Sequence, residues 1–71
     1  MSIDDEIGPR VVGGRYWNGY WAKEYEVVAV HRGDDVPMMG GWRSPWAVTV
    51  RDADGQRTHS TAWDPARDRV L

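Results

Sequence analysis

The side chains able to do covalent chemistry are few in this sequence and poorly spaced for it. His59 and Ser60 are adjacent, and neighbours in an extended chain point to opposite faces, so they cannot form a nucleophile–base pair. His31 precedes Asp34 and Asp35, types that could ligate a metal, but a solvated acidic loop explains them and leaves ligand number and geometry undefined. Asp52-Ala53-Asp54-Gly55 opens like a calcium loop, yet no ligands follow at the required positions, and it reads as a turn. Cysteine is absent, which excludes disulfides and cysteine-ligated metal centres. The expectation is a non-enzyme without metal or cofactor.

Recognition chemistry is better represented. Tyr16, Trp17, Tyr20 and Trp21 surround Asn18-Gly19, a strong hairpin signal because both turn positions need positive φ. A two-residue turn sets Trp17 opposite Tyr20 and Tyr16 opposite Trp21, with rings on both faces of the tip. One small core covers one face, so the tip either curls over the core or leaves two large aromatics in water, where they mark a binding surface. The connection from Gly33 to Pro45 shows no regular pattern and carries Asp34, Asp35, Met38, Met39 and Trp42. Loops of that length in compact domains are functional or disordered, and Met adapts well at recognition surfaces. The competing reading of these apolar residues is a cap on an open end of the core. Where hairpin and loop meet, Trp17, Tyr20, Trp42, Met38 and Met39 would form an exposed groove flanked by Asp34 and Asp35.

The elements that must position these residues are short strands. Residues 1–10 read as a flexible acidic leader, with Asp4, Asp5 and Glu6 ahead of Gly8-Pro9. From residue 11 to 71, β-type runs alternate with Gly, Pro, Asn and Asp, and no segment sustains a helical period. Apolar residues on both faces from Val27 to Val30 suggest a strand that bends. Trp46–Asp52 and Arg57–Trp63 flank an Asp54-Gly55 turn, which sets Asp52 opposite Arg57 and Trp46 opposite Trp63. One face then reads Trp46, Val48, Val50, His59, Thr61 and Trp63, the expected core. Asp64-Pro65 resembles a capped turn, predicting a single 3₁₀ turn before a short last strand.

The order of strand, long hairpin, loop, tight hairpin, helical turn and last strand resembles the Src-homology-3-like small β-barrels. The resemblance is architectural and covers roughly residues 11–71. It implies an all-β, five-stranded barrel. The acidic pattern and the Pro-x-x-Tyr strand end of the peptide-binding members are missing, with Asp64-Pro65-Ala66-Arg67 where the latter would fall, so no ligand transfers with the fold.

Charge narrows the function classes. The net charge of −2 lies in residues 1–10, where three acids face Arg10; residues 11–71 hold equal numbers of acids and bases. A neutral body lacks the positive excess that counterion release exploits, so nucleic-acid binding through Arg10, Arg15, Arg43 and Arg57 with Tyr16 and Trp17 is the second expectation. The first is a non-catalytic binding or adaptor module for a protein or peptide, its acids favouring a basic or proline-rich segment. A ring cage for a quaternary ammonium group is a variant of it. The third is a structural subunit that packs the small-residue face of Ala47, Thr49, Ser60 and Ala62 on another copy or a larger protein. No apolar run reaches bilayer length and no basic leader precedes one, so the expectation is a cytoplasmic protein without membrane contact, a monomer or weak homo-oligomer.

Overall fold

A computed structural model describes residues 2–71. Five antiparallel strands form one sheet in the order β4-β3-β2-β1-β5: β1 Arg15–Asn18, β2 Lys23–Arg32, β3 Trp46–Asp52, β4 Gly55–His59 and β5 Asp68–Val70. A five-residue helix, α1 Ile3–Ile7, precedes them, and a 3₁₀ turn spans Gly33–Asp35. Among the described residues no helix is long and apolar enough to cross a membrane.

The all-β class and the five strands agree with the sequence; the barrel does not. The sheet ends at β4 on one side and β5 on the other and does not close. The reason lies in the backbone of residues 61–63, which is engaged elsewhere. The Thr61 carbonyl accepts from Arg10 Nη2, the Ala62 carbonyl accepts from Arg67 Nη2, and the Trp63 amide donates to the Glu6 carbonyl. Those groups would otherwise extend the β4 ladder. The turn before the last strand also differs from expectation. Asp64 caps it, its Oδ1 accepting from the Ala66 amide at 2.9 Å and its carbonyl from the Arg67 and Asp68 amides, but the 3₁₀ turn itself lies after β2.

The bend expected in β2 is a register shift between Val27 and Ala29. An extra residue in one strand resets the two-residue alternation beyond it. Val27 opposite Val50 and Val30 opposite Val48 thereby turn to one side, where Val27, Val48 and Val50 are fully buried. They form a core with Ile7, Tyr16, Tyr25 and Trp46, against which Ile3, Val30 and Trp63 pack.

Ile7 belongs to that core, so a short helix with a buried side chain lies within residues 1–10, the segment that the sequence reads as an acidic leader. Ser2 caps α1 by accepting from the Asp5 amide, and Ile7 is 2% exposed. Tyr16 holds the following segment: its hydroxyl donates to the Pro9 carbonyl at 3.0 Å and accepts from the Val11 amide at 2.8 Å. Met1 lies outside the described residues.

The second hairpin keeps its faces but not its register. Asp52 pairs with Gly55 and Val48 with His59, so the turn is Ala53-Asp54 and the strands slip by two residues from expectation. A slip of two preserves which side chains face the core. It removes the Trp46–Trp63 cross-strand pair, because β4 ends at His59. In its place the Arg10 guanidinium lies against both indoles, 5.4 Å from the Trp46 ring centroid and 5.8 Å from that of Trp63.

Candidate functional site

The residues expected to form one groove are divided between the two ends of β2. Asn18 pairs with Lys23 at the start of that strand, whereas the Gly33–Pro45 loop leaves from its far end. Ten residues of strand span roughly 30 Å. Trp17 and Tyr20 are therefore at one end, and Asp34, Asp35, Met38, Met39 and Trp42 belong to the loop at the other.

The loop is more ordered than its composition suggests. The Gly33 amide donates to the Pro45 carbonyl and closes its base, and Val36 is buried. Met39 and Trp42 exchange backbone hydrogen bonds around Gly40-Gly41, both at positive φ, as a tight primed turn requires. The turn leaves Met38 60% and Trp42 59% exposed. Asp34 lies 4.0 Å from Arg43, and Asp35 lies 3.5 Å from His31 Nδ1.

His31 is part of a polar chain that the sequence does not reveal. Its Nε2 is 2.8 Å from Thr49 Oγ1, which is 2.8 Å from Thr58 Oγ1. Carboxylate, imidazole and hydroxyl follow one another in the order of a nucleophilic triad, but Thr49 is buried in mid-strand with its oxygen shared between two partners. The chain ties β2, β3 and β4 together on the face away from the core. Among the described residues no three His, Asp or Glu side chains converge as a metal site requires.

The opposite end of β2 holds the more developed site. Asn18 is buried, and its Oδ1 accepts from the Tyr20 amide at 2.8 Å and the Trp21 amide at 2.9 Å. This side-chain turn replaces the expected two-residue Asn18-Gly19 turn with a four-residue loop, so Trp17 faces Glu24 and Tyr16 faces Tyr25. Gly19 is required where it stands, because a Cβ there would collide with the Arg67 carbonyl. Tyr20 is thrown outward, 79% exposed, while Trp17 and Trp21 are half-buried. Asn18, Tyr20, Trp21, Thr61 and Arg67 line a mainly apolar cleft of about 210 Å³.

Cations underlie this cleft. The Arg57 guanidinium stacks 4.5 Å from the Trp21 centroid and donates to Asp52 Oδ2 at 2.6 Å. Arg67 grips Asp68 with two bonds, Nε to Oδ1 at 2.9 Å and Nη2 to Oδ2 at 2.7 Å. Burial pushes Asp68 upward, but the Arg67 bonds and the Asp64 amide outweigh it and hold the carboxyl below the usual carboxylate range. His59 meets Trp21 edge to face, its ring centroid 5.4 Å away. Burial first, then the Arg10, Arg57 and Arg67 charges, lower its pKa to about 4. Its Nδ1 accepts from the Thr61 amide, so the neutral ring carries its proton on Nε2, which is buried with no partner among the described residues.

Sequence reasoning placed Tyr20 at a surface but missed Asn18, Trp21, Thr61 and Arg67 as its neighbours. Asn18 had a visible signal in its turn preference; the approach of residues 61–67 had none. No family model matches this sequence, and neither a curated protein nor a solved structure matches the chain.

Proposed function

We propose that this protein is a non-catalytic binding module that engages a protein or peptide through the cleft beneath Tyr20. The observation that carries the reading is the contrast at the hairpin tip. Asn18 fixes the loop by two backbone bonds, yet the loop turns the Tyr20 ring into water beside an apolar cleft. A large amphipathic ring on a rigid turn contributes contact area at little entropic cost. The sheet order β4-β3-β2-β1-β5 supports the Src-homology-3-like resemblance for the scaffold of such a module, with the sheet left open.

Ion pairing favours this reading over nucleic-acid binding. Arg15, Lys23, Arg32, Arg43, Arg51, Arg57 and Arg67 each lie within 4.0 Å of a carboxylate. Cations already neutralised in this way release few counterions on meeting phosphates. The test is selection of binding peptides from a random library, followed by measurement with Tyr20→Ala and Trp42→Ala. Tyr20→Ala should lose at least tenfold in affinity with Tm unchanged. Loss confined to Trp42→Ala would move the site to the Gly33–Pro45 loop and refute the cleft.

A further inference from the structure

The sequence suggests a basic or proline-rich ligand because acids lie near the aromatics in the chain. The fold keeps Glu24 opposite Trp17 but takes the two loop aspartates away from the hairpin tip. Asp34 and Asp35 lie past the far end of β2, while the residues around the Tyr20 cleft are cationic or hydrogen-bond donors. Arg67 engages Nε and Nη2 with Asp68 and the Ala62 carbonyl, and the N–H groups of Nη1 have no acceptor among the described residues. Asn18 uses Oδ1 for the Tyr20 and Trp21 amides, and Nδ2 likewise has no acceptor among the described residues. Both side chains line the cleft.

We propose that the Tyr20 cleft takes an acidic peptide segment, with an apolar side chain against Tyr20 and Trp21 and a neighbouring carboxylate accepting from Arg67 Nη1 and Asn18 Nδ2. The inference rests on the binding-module reading and adds the partner's charge to it. A carboxylate accepting from a guanidinium is among the stronger hydrogen-bonded contacts available to a peptide. The two free donor groups select for it, and the apolar lining excludes a carboxylate alone.

The experiment is an amide-shift titration of the full chain with three blocked hexapeptides sharing a central Leu-Trp. The pair is flanked by Glu and Asp, by Gln and Asn, or by Lys and Arg. The acidic peptide should bind about tenfold more tightly than the neutral one, the gain of one charge-assisted bond. Its shifts should centre on Gly19–Trp21, Thr61 and Arg67. Arg67→Lys keeps a cation beside Asp68 but removes the fork of donors; it should weaken the acidic peptide more than the neutral one and so narrow the difference between them. If the neutral or basic peptide binds that surface equally well or better, the acidic preference is overturned and the binding-module reading survives. If none of the three shifts those resonances, or they respond only to protein concentration and a second copy is the occupant, both are overturned.

Discussion

The Arg10 guanidinium lies 5.4 Å from the Trp46 ring centroid, in the position that cross-strand pairing would assign to Trp63. Its Nε donates to the Ile7 carbonyl at 2.8 Å, and its Nη2 to the Glu6 and Thr61 carbonyls at 2.9 and 2.8 Å. Burial lowers its pKa, but a guanidinium stays charged, and the carbonyl dipoles and indole faces take the place of water. Arg10 thus joins the end of α1, the sheet and the 61–63 segment.

Arg10→Met should therefore destabilise the fold although it keeps an apolar stem of similar length. The loss should be about 3 kcal/mol, the scale of hydrogen bonds from a charged group together with two ring contacts. Urea unfolding measures it. Deleting residues 2–9 should lower Tm clearly, since Ile7 and the Glu6 carbonyl leave with them; an unchanged Tm would show that α1 does not stabilise the sheet.

Trp46→Ala should cost on the order of 3–5 kcal/mol, comparable with the whole stability of so small a domain. Trp63→Ala should cost less, because Trp63 is only half-buried, though it meets Tyr16 edge to face at 5.8 Å. Equal losses would restore the expected Trp46–Trp63 pair.

His59 sets a pH dependence whose sign is fixed. Its folded pKa, about 4, lies below the unfolded value of 6.5, so between these the unfolded chain holds the extra proton. Stability then rises with pH through that window and falls as pH drops from 6.5 to 4. The loss should be about 2 kcal/mol, the full shift discounted for the ring's partial exposure. Asp68 and Asp52, both held below the usual carboxylate range, lose their contributions only at lower pH still. His59→Phe should flatten the decline between pH 6.5 and 4; an unchanged slope would assign it to another group.

Gly19→Ala should destabilise by about 1–3 kcal/mol, because the added methyl meets the Arg67 carbonyl, a backbone atom unable to move alone. Gly19 is not at positive φ, so the clash acts without left-handed backbone strain, and an unchanged Tm in Gly19→Ala would mean that the Gly19–Arg67 approach contributes nothing.

How much of this was legible in the sequence follows from the range of each interaction. The alternation Trp46, Val48, Val50 identified the core face, and it survived the two-residue slip because the strand period is two. Apolar residues on both sides of β2 signalled a bend, and the register shift between Val27 and Ala29 that accompanies it was not legible. Asn18 announced a turn, but whether its side chain would cap a longer loop depended on Lys23 pairing beside it. α1 was hidden because five residues give little periodicity and acids dominate them. The open sheet and the cleft were not legible. Both arise where residues 61–67 cross to Arg10, Glu6 and Gly19, contacts that link distant parts of the chain.

The most direct test of the binding account is to map the strongest library-selected peptide on the labelled chain by amide shifts, with Tyr20→Ala alongside. Tyr20 is 79% exposed, and a substitution at so exposed a site should change stability by less than about 0.5 kcal/mol. The account predicts shifts concentrated at Asn18–Trp21, Thr61 and Arg67, abolished in a Tyr20→Ala protein of unchanged Tm. Shifts centred on Met38–Trp42, or binding that survives Tyr20→Ala in full, would contradict it.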